Sequence, residues 1–134
     1  GSFHITKGPG MKKILIIDDE ERMRRIYARL LTLEGFKVIE SPNAMDANEL
    51  LKRESVDLVL LDIRMPEVDG GILYEVIQLF HKKSKVIVAS VYPVDEQKRI
   101  IEGAADYYDK SQKIDTLLSK IKQVLDDEAE TSSF

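Results

Sequence analysis

The sequence predicts an α/β fold: a doubly wound, five-stranded parallel sheet in a single domain. Three observations lead there. Short aliphatic runs alternate five times with longer stretches of helical periodicity, and that alternation gives a parallel sheet covered by helices on both faces. The aliphatic runs are continuous, as in strands buried on both sides, rather than alternating in and out. Each main run stops on a polar or charged residue, at the strand ends where open parallel sheets bind ligands.

In chain order, Lys12-Lys13 lead into the first strand, Ile14 to Ile17, which ends on Asp18-Asp19-Glu20-Glu21. Met23, Ile26, Tyr27, Leu30 and Leu31 then recur at helical spacing, with Arg22, Arg24, Arg25 and Arg29 expected mostly on the opposite side. Gly35 stops that helix. Phe36 to Ile39 form a second strand, and Ser41 or Asn43 caps a second helix with Ala44, Ala47, Leu50 and Leu51 inward. Val56 to Leu61, broken only by Asp57, is the third strand and carries Asp62 to its mouth. Pro66 cannot donate to a ladder and biases Met65 away from helix, so the chain turns there. Asp69-Gly70-Gly71 open a third helix with Ile72, Leu73, Val76, Ile77 and Phe80 inward. Lys85 to Ser90 is the fourth strand. Tyr92-Pro93 turn into a fourth helix carrying Ile100 and Ile101 and ended by Gly103. Ala104 to Asp109 form the fifth strand, finishing at Lys110. Ile114, Leu117, Leu118, Ile121, Val124 and Leu125 line one face of the last helix. The favoured strand order is 2-1-3-4-5, the flavodoxin-like arrangement, with the first and third strands adjacent at the switch point.

Gly1 to Gly10 have the look of an expression scar and are set aside. Met11 to Asp126 are expected to fold as the domain, and residues 127–134 to form a disordered acidic tail. The net charge of -4 argues against a nucleic-acid surface of the domain's own. The absence of cysteine excludes disulfides, thiol catalysis and cysteine-bound metal. No apolar run approaches the roughly 20 residues that span a bilayer, and a cytoplasmic location is expected.

The topology gathers Asp18 and Asp19 from the first strand, Asp62 from the third, Ser90 from the fourth and Lys110 from the fifth. Singly, each has a plain structural explanation; an acidic pair before a helix, for example, suits the helix dipole. Together they make a site. Clustered carboxylates repel, and a hard divalent cation, Mg²⁺ or Mn²⁺, relieves that repulsion in an all-oxygen site. His4 and His81 are remote in sequence, so zinc is not expected. A carboxylate beside such a metal, a lysine and a hydroxyl suits phosphoryl chemistry, with the carboxylate as nucleophile.

From Lys12 to Leu125 the chain resembles a response-regulator receiver domain of bacterial two-component signalling, a CheY-like fold. The resemblance rests on Asp18-Asp19, Asp62-Ile-Arg-Met-Pro66 with Asp69-Gly70, Ala89-Ser90, and Gly103-Ala-Ala-Asp-Tyr107 followed by Lys110. It implies that Asp62 accepts a phosphoryl group from a sensor histidine kinase or phosphotransfer protein. It also implies that Asp19, Asp62 and the Arg64 carbonyl ligate Mg²⁺ directly, with Asp18 acting through water. Lys110 and Ser90 would bind phosphoryl oxygens, and Ser90 and Tyr107 would form the switch. A downstream protein would read the face of the fourth helix, fifth strand and fifth helix, and the chain would be a monomer or a weak, phosphorylation-dependent dimer. Such a protein is no enzyme in the turnover sense, catalysing only its own phosphorylation and autodephosphorylation.

Ser111 stands where the family usually has proline, and a trans bond is expected there because a non-proline cis bond costs roughly 3 kcal/mol. Val91 is bulkier than the usual Ala or Gly and, with Arg64 and Tyr92, is expected to govern access to Asp62. Gly71 replaces an apolar residue and is expected to loosen the first turn of the third helix. Other readings are a fragment of a longer regulator with a DNA-binding or enzymatic output, and a pseudo-receiver scaffold. A flavin-binding protein would want a phosphate loop where Asp18 to Glu21 stand, and an aspartyl phosphatase would want a second acid where Arg64 stands.

Overall fold

Five aliphatic runs become strands because their β-branched residues pack well on a pleated, doubly covered surface. The structure is a computed structural model that describes residues 12–63 and 70–132, with side chains as far as Asp126. Its elements are β1 (Lys13–Ile17), α1 (Glu21–Leu33), β2 (Lys37–Ser41), α2 (Ala44–Arg53), β3 (Leu58–Leu61), α3 (Gly70–Phe80), β4 (Lys85–Ser90), α4 (Val94–Ile100), β5 (Asp106–Asp109) and α5 (Ile114–Ser132). All strand pairs are parallel, in the predicted order β2-β1-β3-β4-β5.

Alternate strand residues feed two cores. Ile14, Ile16, Leu58, Leu60, Ile87 and Tyr108 meet α1 and α5 through Tyr27, Leu31, Leu117 and Ile121. Leu15, Ile17, Val59, Leu61, Val86 and Val88 meet the other three helices through Ala47, Leu51, Leu73, Ile77 and Ile101. Gly35 and Gly103 end α1 and the α4 region with φ of 99° and 83°, a region open to glycine without strain. Between the two candidates for the cap of α2, Asn43 takes the role: its side chain accepts from the Asp46 amide at 2.8 Å. Ser41 instead donates to the Asn43 carbonyl at 2.8 Å.

Two expectations are corrected. Arg24 is buried rather than on the solvent side of α1, and Ile26 is exposed. Ile72 and Phe80, read as inward, are exposed; Gly70, Leu73, Tyr74 and Ile77 make the buried face of α3. The backbone of α5 runs on to Ser132. Glu and Ala are good helix formers, and neither Gly nor Pro interrupts the run.

The Tyr27 hydroxyl is buried without a hydrogen-bond partner among the described residues. Burial first, then the charges of Tyr108, Asp18, Glu20 and Asp62, push its pKa well above the usual tyrosine value. Replacing Tyr27 by Phe removes an unsatisfied polar group and is expected to leave stability unchanged or raise it by about 1 kcal/mol in urea unfolding. The unfolded chain ionises this phenol near pH 10 while the folded chain keeps it neutral, so stability falls as pH rises past that value. Tyr27→Phe is expected to flatten that alkaline loss.

Candidate functional site at the carboxyl ends of the strands

Sheet register brings the acidic residues together. Ile17 lies opposite Leu61, so the next residues, Asp18 and Asp62, leave the sheet side by side, and the Asp62 amide donates to the Ile17 carbonyl at 2.9 Å. Ser90 pairs with Asp109, and the Lys110 amide donates to the Ser90 carbonyl at 2.9 Å. From that strand end Lys110 reaches across: its Nζ donates to Asp18 Oδ2 at 2.7 Å and Asp62 Oδ2 at 3.2 Å. The lysine and both carboxylate side chains are 7 % or less exposed. Burial by itself lowers the Lys110 pKa, but the Asp18 hydrogen bond and the Asp62 and Asp18 charges outweigh it and hold the ammonium above its usual value.

Asp18 is fixed from three sides. Its Oδ1 accepts from the Glu20 amide at 2.9 Å, its amide donates to the Ser41 carbonyl at 3.1 Å, and its carbonyl accepts from Arg24 Nη1 at 2.8 Å. Arg24 also donates from Nε to Glu40 Oε1 on β2 at 3.1 Å. With a carbonyl and a carboxylate both in reach, its guanidinium stays satisfied while buried. Asp19 is exposed beside this pair. Asp18, Asp19 and Asp62 each offer a carboxylate oxygen within 4.8 Å of the others. Hard oxygen donors at this spacing, two of them already needing a cation, fit Mg²⁺; these three residues would hold it. Arg64, with Met65, Pro66 and Asp69, lies outside the described residues.

Ser90 is fully buried, and its Oγ accepts from the Tyr92 amide at 3.2 Å. Val91 is exposed, while Tyr92 packs against the α2–α3–α4 core. No cis peptide bond occurs among the described residues, so Ser111 follows Lys110 in trans. The amide and hydroxyl of Ser111 donate to Asp109 Oδ1 at 2.8 and 2.7 Å, and these bonds lower the Asp109 pKa. They tie the loop that proline would otherwise stiffen, and Lys110 still reaches both carboxylates. Tyr107 is buried: its hydroxyl donates to the Ile101 carbonyl at 2.6 Å and accepts from the Ala104 amide at 3.2 Å.

Gln97 is the residue that sequence pattern gave no signal for. It is fully buried in α4, and its Nε2 donates to the Tyr92 carbonyl at 2.7 Å and the Tyr108 carbonyl at 2.9 Å, with the Ser90 carbonyl at 3.5 Å. One side chain thereby ties α4 to β5, to the end of β4 at Ser90 and to the turn that follows it.

Gly70 is needed for close approach. A Cβ there would meet Ile63 Cα at 2.6 Å, in the backbone directly after Asp62. Gly70→Ala is expected to destabilise by about 1–3 kcal/mol, through overpacking that only a shift of the backbone after Asp62 can relieve; urea unfolding checks the loss.

The response regulator receiver domain profile matches residues 14–122, most of the chain. The chain belongs to the response regulator receiver domain family. Among its relatives, the chemotaxis protein CheY of Bacillus subtilis is 34% identical over 118 residues, covering 84% of this chain and 97% of that one. "Probable transcriptional regulator ycf27" of Porphyridium aerugineum is 36% identical over 118 residues, 85% of this chain, and the chain spans only 48% of its length. Among solved structures, a CheY-like receiver domain from Methanospirillum hungatei JF-1 superposes with a TM-score of 0.84 at 29% identity, covering 90% of this chain and 98% of that one. The response regulator TrrA of Thermotoga maritima, in complex with Mg(2+)-BeF, gives 0.78 at 31% identity, covering 85% and 99%. Five parallel strands in the order 2-1-3-4-5 make this receiver a CheY-like, flavodoxin-type fold.

Proposed function

We propose that this receiver is a phosphoacceptor switch in which Asp62 takes a phosphoryl group from a phosphohistidine of a sensor histidine kinase or phosphotransfer protein. The observation that carries the reading is one buried ammonium, Lys110, shared by Asp18 and Asp62 with the open carboxylate of Asp19 alongside. An Asp62 oxygen attacks phosphorus, the bond from phosphorus to the donor nitrogen breaks, and the donor leaves as imidazole while an acyl phosphate forms on Asp62. Bound Mg²⁺ supplies charge neutralisation for the phosphoryl oxygens. Lys110 exchanges a carboxylate for a phosphoryl oxygen, and the Ser90 hydroxyl donates to another.

Movement of Ser90 breaks its bond with the Tyr92 amide, and the Gln97 contacts transmit the change to α4 and β5. Tyr107, held by the Ile101 carbonyl at the end of α4, repacks with them, and the α4–β5–α5 face presents a different surface to a protein partner. The domain turns over no foreign substrate beyond its own phosphorylation and dephosphorylation. It works in the cytoplasm, in line with no helix among the described residues being long and apolar enough to cross a membrane. It makes no direct contact with nucleic acid. A second reading is a receiver cut from a longer regulator, favoured by the 48% coverage of the ycf27 relative; in that case the output lies elsewhere in the gene.

Amide NMR tests the switch. Adding Mg²⁺ and then beryllofluoride, a phosphoryl mimic, is expected to shift Asp62, Ser90, Lys110, Gln97 and Tyr107 together in two steps. Shifts confined to Asp18, Asp19 and Asp62 would mean a metal site without a switch.

A further inference from the structure

We infer that the α2–α3 face is a self-association surface, on which a second copy of this chain packs antiparallel about a two-fold axis. α3 is apolar nearly all round: apart from the hydroxyl of the buried Tyr74, Glu75 and Gln78 are its only polar side chains, and a helix of that kind is normally buried on every side. Yet only one face of it enters the core. Ile72, Val76, Leu79 and Phe80 recur at i, i+4, i+7 and i+8, one continuous stripe. Ile72 is 56%, Leu79 66% and Phe80 74% exposed. Across a shallow groove shared with Ile72 and Val76, Met45 of α2 adds a further side chain, 71% exposed. These four exposed residues present on the order of 500 Å² per protomer, near the upper limit for a monomer's largest apolar patch. A standard interface buries about 800 Å² per partner, so the stripe supplies most of one and its polar rim the rest.

Two features select a second copy as the occupant. The stripe is symmetric about Val76, with Ile72 four residues before it and Phe80 four after. A two-fold axis lying across both helices at the level of Val76 sets Ile72 of each copy over Phe80 of the other. The rim is complementary under the same operation. α2 carries Asp46 in its first turn and Lys52 and Arg53 in its last, so antiparallel packing lays the acidic end of one α2 over the basic end of the other. Glu49, near the centre, pairs with Lys52 of its own helix at 3.2 Å, so Arg53 carries most of the positive charge offered to the partner's Asp46. An interface of this kind is isologous and closes at a dimer.

Sedimentation velocity over a concentration series tests the inference. Wild type is expected to dimerise, and Phe80→Asp to weaken dimerisation at least tenfold while keeping its circular dichroism spectrum and Mg²⁺-dependent phosphorylation. Asp46→Lys alone and a Lys52→Glu/Arg53→Glu variant alone are each expected to be mainly monomeric, because each opposes like charges. Mixing the two restores one favourable pairing at both ends and is expected to recover a mixed dimer. A wild type that stays monomeric at millimolar concentration overturns the inference and leaves the face to another protein. A dimer that survives Phe80→Asp, or variants that do not rescue each other on mixing, would place the interface elsewhere.

Discussion

Lys110→Ala is expected to lower the rate of Asp62 phosphorylation by about 100-fold or more, the scale of losing one preorganised charge stabiliser. Folding is affected by the same cluster, and in an opposite direction once metal is added. Without Lys110, the buried carboxylates of Asp18 and Asp62 face each other with no ammonium between them. Removing one partner of a buried pair costs about 3–5 kcal/mol, and the metal-free variant is expected to lose stability on that scale. Mg²⁺ should restore most of it, and should bind the variant more tightly than wild type, because it no longer competes with the ammonium. Calorimetric titration and urea unfolding with and without Mg²⁺ read both quantities. The pH dependence has a fixed sign. The Lys110 pKa is raised in the folded chain, so its contribution is fully present below the unfolded lysine value of about 10.4 and is lost as pH rises through the folded value. The stability gap between wild type and Lys110→Ala should therefore be constant through the neutral range and close only at strongly alkaline pH.

Arg24→Ala is expected to destabilise by about 2–3 kcal/mol, chiefly through the charge-assisted bond to the Asp18 carbonyl. Its other partner, Glu40, is 37% exposed and adds less. The acidic pair loses its anchor to α1, so Mg²⁺ affinity should fall as well. Arg24→Lys should recover little, since a single ammonium cannot hold the carbonyl and Glu40 in the planar fork that guanidinium provides.

Residue types at strand ends were the most legible part of this molecule. A buried strand has to stop where polar groups can reach solvent, so Asp18, Asp62, Ser90 and Lys110 were bound to collect at one edge once the sheet was parallel. Register then did what pattern could not, setting Asp18 beside Asp62 and letting Lys110 bridge them. Arg24 was misplaced because periodicity sorts by polarity, and a guanidinium with two fixed acceptors is buried in spite of its charge. Ile72 and Phe80 of α3 were misplaced for the reverse reason, while Leu73 and Ile77 are buried as expected: with apolar residues around most of the helix, periodicity says little about which of them turn inward. Gln97 left no trace in the pattern at all, since its role depends on three carbonyls brought together by β4, β5 and the turn after Ser90.

The measurement that tests the central claim most directly is intact mass after incubation with acetyl phosphate, with and without Mg²⁺, beside Asp62→Asn. One phosphoryl adduct that requires Mg²⁺ and is absent from Asp62→Asn is the predicted result. No adduct on the wild type, or an equal adduct on Asp62→Asn, would contradict the assignment of Asp62 as phosphoacceptor.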